Sequence, residues 1–119
     1  MSPLVFLLAA LAGGLGAAVR YLVDIGIARL TGPRFPWGVF LINLTGSFVL
    51  GLIVGGLPEA AFVVGTGFLG GYTTFSTAML DTVALWRDGE RRASAFNAVG
   101  MLLLGVVVAF AGLAVGTAL

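Results

Sequence analysis

Cysteine, histidine and lysine are all missing from this 119-residue chain. Without cysteine there is no disulfide and no thiolate chemistry, and without histidine the commonest metal and acid–base ligand is gone. All six cations are therefore arginines. They form no basic tract of the kind that holds a nucleic acid, and a net charge of +1 argues for none. The usual nucleophile–base pairs cannot be assembled from what remains, so an enzyme is not expected. Charge of either sign is scarce. Only 9% of the residues are charged and 60% are hydrophobic, whereas a soluble domain carries roughly a quarter charged residues. This chain cannot cover itself in water.

What is present is long apolar runs. The segments Met1–Val19, Trp37–Leu57, Ala60–Leu80 and Ala93–Leu119 contain no charged residue. Each approaches or exceeds the ~20 residues that a helix needs to cross a bilayer. None alternates polar with apolar as a barrel strand would. An all-α membrane protein with four transmembrane helices is expected, built as a single unit over residues 1–119. The start, Met1-Ser2-Pro3, lacks the positive region of a cleaved signal peptide, and its apolar run is too long for one. The first helix is expected to run on to about Ala28. Arg20 and Asp24, one turn apart, would then share a face as the span leaves the hydrocarbon.

Four spans place the connections alternately on two sides. Arg29, Arg34, Arg87, Arg91 and Arg92 fall in or beside loops one and three, and no arginine falls at the termini or in the turn Gly55–Glu59. Positive charge stays on the cytoplasmic side, so both termini are expected outside. Small residues recur four apart at Gly13 and Ala17, Gly51 and Gly55, Gly67 and Gly71, and Gly112 and Gly116. Such pairs let helix backbones approach closely in lipid. Chance alone among 19 glycines is the other explanation.

The third run holds the unusual chemistry. Gly70-Gly71 is followed by Thr73, Thr74, Ser76 and Thr77 halfway along the span. Paired glycines disfavour helix, and hydroxyl side chains compete for backbone hydrogen bonds. A helix broken here would expose carbonyls and amides in the membrane, which is tolerated only inside protein or beside water. Broken helices offer carbonyl ends to cations and amide ends to anions. The alternative is a straight helix whose hydroxyls bond back to their own carbonyls.

Gly67-Phe-x-Gly-Gly-x-Thr-Thr-Phe-Ser-Thr77 resembles the signature of the Fluc (CrcB) family of fluoride channels. Three further stretches agree in order and spacing: Gly13-Gly-x-Gly-Ala-x-x-Arg-Tyr21, Gly38-x-x-x-x-Asn43-x-x-Gly46-x-Phe48-x-x-Gly51, and Asn97 followed by Gly105. The resemblance covers essentially the whole chain. It implies an antiparallel dimer of four-helix subunits in the plasma membrane, with the third helix broken near the midplane and fluoride pores along the interface. It also implies a structural Na⁺ at the dimer centre, held by the main-chain carbonyls of Gly70 and Thr73. Phe75 matches a pore-lining phenylalanine whose positive ring edge can face an anion. Asn43 matches a pore-facing amide, Asn97 a polar position on the fourth helix, and Arg20 an arginine near the pore mouth or in a structural ion pair. Thr74, Ser76 and Thr77 are further candidate donors to fluoride.

The chain departs from the family pattern in three ways. A second pore phenylalanine is replaced by Ala78, and a usual serine by Met101. The arginine bias of five against none sits poorly with subunits that insert both ways. The partner in the dimer is therefore either a second copy or a homologous subunit of opposite bias. A small multidrug-resistance-type exporter would need a carboxylate inside the first helix, and none lies between Met1 and Val19. A non-transporting membrane scaffold is the remaining rival.

Overall fold

Ser2 opens the first helix by accepting a hydrogen bond from the Val5 amide at 3.2 Å. Pro3 follows at the first helical position, where no amide is required. In the computed structural model, which describes residues 2–119, this helix, α1, runs Pro3–Thr31. It stops at Gly32, whose φ of 79° suits a residue without a Cβ. Helix α2 spans Trp37–Gly56. The third helical segment comes in two pieces. Its first piece, α3, covers residues 61–72, as a π-helical stretch Ala61–Leu69 followed by the turn Gly70–Tyr72. Its second piece, α4, is Phe75–Arg87. After Gly89, again at positive φ, α5 runs Arg91–Ala118 with a π-helical section at Phe96–Gly100. No strand occurs among the described residues.

Helices α1, α2 and α5 are each long and apolar enough to cross a membrane. Neither half of the third segment is. The reason is the interruption: Thr73 and Thr74 are extended, with ψ of 159° and 124°. A straight helix through this region is thereby excluded. Two expected boundaries also move. Helix α1 ends three residues beyond Ala28, and the third segment runs past Leu80 through Asp81 to Arg87.

Close backbone approach holds the helices together, and glycine permits it. A Cβ on Gly51 would strike the Ala109 carbonyl, and one on Gly112 would strike the Phe48 carbonyl, so α2 and α5 lie nearly in backbone contact. Gly55 and Gly116 continue the same seam. On the other side, Gly67 and Gly71 of α3 meet Ala9 and Gly13 of α1. Gly16, rather than Ala17, completes that face against Phe68 and Tyr72. Chance does not explain glycines placed so regularly against a neighbouring backbone; packing in lipid does.

Loops one and three lie at one end of the bundle, since Arg34 and Phe35 share a cavity wall with Leu85 and Asp88. Phe35, Trp37, Phe40 and Phe96 cluster there with ring centroids 4.6–6.3 Å apart, pinning the first loop against α5. Arg91 lies over the Trp86 ring at 4.5 Å.

Candidate functional site at the helix break

The break is held from both sides. Leu69 accepts hydrogen bonds from the amide and the hydroxyl of Thr73, each at 2.9 Å, which closes the end of α3. Thr74 then starts α4 as its N-cap, its hydroxyl oxygen accepting from the Thr77 amide at 3.2 Å. Between these two caps, Asn43 of α2 grips the peptide of a single residue. Its Oδ1 accepts from the Thr74 amide at 2.8 Å, and its Nδ2 donates to the Thr74 carbonyl at 2.8 Å. The side-chain oxygen thus replaces the helical acceptor that the Thr74 amide has lost.

The carbonyls of residues 70–73 lose their helical donors as a result, those of Gly70 and Thr73 among them. In an unbroken α-helix the Gly70 carbonyl would accept from the Thr74 amide, and the Thr73 carbonyl from the Thr77 amide. Here the first amide goes to Asn43 and the second to the Thr74 hydroxyl. Gly70 and Thr73 both line an open cleft of about 380 Å³, together with Asn43, Ser47, Thr74 and Met101. No atom stands within 4 Å of where a Gly70 Cβ would sit. Freed carbonyl oxygens on an open cleft are a donor set that suits a hard cation such as Na⁺.

The other expected residues separate into two groups. Phe75, Ser76 and Thr77 are exposed on the first turn of α4, Phe75 with 79% of its surface free, so its ring projects from the subunit beside the cleft. Asn97 is instead fully enclosed, at 0% exposure. It donates to the Ala78 carbonyl at 3.2 Å and to the Thr82 hydroxyl at 2.9 Å, while its own Oδ1 has no partner. Ala78, where the pattern leads one to expect phenylalanine, is only 1% exposed and also lines the cleft. Arg20 is half-buried on α1. Asp24 presents its Oδ1 to Gly38 of α2.

Sequence reasoning missed the polar seam between α4 and α5. Ser94 donates to the Thr82 carbonyl at 2.7 Å, one turn before Asn97 reaches the Thr82 hydroxyl. The three-residue spacing of Ser94 and Asn97 was the available signal. Asp81 was missed as well. It shares a cavity of about 240 Å³ with Asp24, Asp88 and Arg34 at the arginine-bearing end.

The family described as "CrcB-like protein, Camphor Resistance (CrcB)" matches residues 7–113. The chain belongs to the CrcB family. A relative from Nitrobacter hamburgensis, named fluoride-specific ion channel FluC 2, is 50% identical over 92% of this chain and 94% of its own length. One from Leifsonia xyli subsp. xyli, named fluoride-specific ion channel FluC 1, is 48% identical over 98% of this chain and 89% of its own. Nitrobacter hamburgensis also has a fluoride-specific ion channel FluC 1, 45% identical over 91% of this chain and 92% of its own length. The family match over residues 7–113 takes in the broken segment of this CrcB chain.

Proposed function

We propose that this chain is a subunit of a fluoride-selective channel of the plasma membrane, which lets cytoplasmic fluoride leave passively and so reduces its toxicity. The observation that carries the reading is the break at Thr73–Thr74 in a CrcB family chain: freed carbonyls on one side, an exposed Phe75 ring and hydroxyls on the other. Fluoride is small and strongly hydrated. A narrow path must replace its water with donors that do not hold it too tightly, and positive ring edges and hydroxyls do so better than a cationic side chain. Phe75, Ser76 and Thr77 are the best-placed candidates to line that path, with Arg20 nearer its mouth. Thr74 and Asn43 have their polar groups engaged within the subunit, as does the Asn97 Nδ2, while the Asn97 Oδ1 has no partner.

In this reading two subunits associate in antiparallel fashion, cleft against cleft. The exposed Phe75 beside an open, mostly apolar-lined cleft supports a second chain covering it. The Gly70 and Thr73 carbonyls of each subunit would then surround one structural Na⁺, which neutralises their aligned dipoles at the centre of the dimer. The ion supplies cohesion and is not cargo.

Two observations favour a homologous partner over a second copy. The arginine bias of five against none resists insertion in both orientations. One organism also carries two relatives, numbered 1 and 2. The deciding experiment reconstitutes this chain alone in liposomes and follows efflux with a fluoride electrode. Fluoride-specific efflux without a partner supports the channel as a homodimer. Efflux that needs a co-expressed homologue supports the pair. Absence of fluoride flux in both preparations, with vesicles known to contain folded protein, overturns the function. A proton-coupled exporter would differ by moving organic cations and ignoring fluoride.

A further inference from the structure

Asn43 has no strong donor left for an anion. One Nδ2 proton goes to the Thr74 carbonyl at 2.8 Å and the other points at the Met101 sulfur at 3.1 Å. Its Oδ1 is engaged by the Thr74 amide. The consequence lies four residues back, because that amide is the one an α-helix would give to the Gly70 carbonyl.

We infer that Asn43 is a positioning residue that keeps the Gly70 carbonyl free for a cation by capturing the Thr74 amide from the neighbouring helix. This rests on the sodium reading of the break proposed above. A partly buried amide must find an acceptor. With the Asn43 oxygen removed, the nearest one in helical register is the Gly70 carbonyl. Rewinding α3 by one residue would then seal that oxygen. Thr74 plays the same part for Thr73, its hydroxyl holding the Thr77 amide away from the Thr73 carbonyl. The Met101 contact orients the amide so that the oxygen, and not the nitrogen, meets the Thr74 N–H. Met101 lines the same cleft as Gly70 and Thr73.

The test reads sodium and not fluoride. Purified protein in detergent is melted across a NaCl titration at constant ionic strength, with N-methyl-D-glucamine as the replacement cation. The wild type melts higher as sodium rises. In Asn43→Leu, and in the smaller Asn43→Ser, which is too short to reach the Thr74 amide, the sodium midpoint rises by about tenfold or more. Asn43→Asp, with its carboxyl protonated, keeps an oxygen for that amide and a hydroxyl for the Thr74 carbonyl, and holds the midpoint within about threefold of wild type. Unmoved midpoints in Leu and Ser variants that have lost fluoride efflux would return Asn43 to a direct role toward fluoride and overturn the inference. A midpoint displaced equally in all three variants also overturns it, since the oxygen would then not be the group that matters. A wild type whose melting ignores sodium removes the sodium reading and the inference together, while leaving the fluoride measurement to stand by itself.

Discussion

Asn97 and Phe75 are both polar-path candidates by sequence, yet their surroundings are opposite, and so are the consequences of changing them. Asn97 is enclosed between α4 and α5 with two donor bonds made and one acceptor idle. Asn97→Ala removes both bonds and opens a void. It is expected to destabilise the protein by about 1–2 kcal/mol, because polar contacts between membrane helices are modest individually. Unfolding in mixed micelles, monitored by circular dichroism, checks this. Phe75 is free over most of its surface. Phe75→Ala should leave the melting temperature of the isolated subunit nearly unchanged, within about 0.5 kcal/mol, while fluoride efflux from liposomes falls to background. A Phe75 variant that conducts normally would take the ring out of the pathway. The resemblance nominated both residues. Which way they faced was not legible, because burial is a property of neighbours that lie far away along the chain.

Helix interruption is an element-scale property, and here it was legible. Two glycines and a run of hydroxyls weaken the helix locally, and no other span contains that combination. The π-helical stretches at Ala61–Leu69 and Phe96–Gly100 were not legible. Nothing in their residues demands a wider turn. Glycine positions divide likewise. Gly51→Val and Gly112→Val drive a side chain into the Ala109 and Phe48 carbonyls and should destabilise the α2–α5 seam by about 1–3 kcal/mol or prevent folding. Gly70→Ala enters open space in the single subunit with φ of −62°, so the stability of the isolated subunit should stay within about 0.5 kcal/mol of wild type. Parallel melts of the three variants test the contrast. Equal losses would mean that helix propensity, and not backbone approach, explains these glycines.

For the whole molecule the arginine asymmetry makes a topological prediction. With loops one and three at one end and five arginines there, alkaline phosphatase fused after Leu119 should be active in the periplasm and a fluorescent protein at the same site should be dark. Comparable signals from both fusions would mean dual insertion and favour a second copy of this chain as the partner. Composition and charge spacing already settled that this is a helical membrane protein, how its loops alternate, and where its helix is weakest, because those follow from what lipid excludes. The capture of Thr74 by Asn43, the release of the Gly70 and Thr73 carbonyls, and the enclosure of Asn97 were decided only when α2 and α5 came to lie beside the break. A hydrogen bond between residues 31 positions apart depends on packing, and no local pattern encodes it.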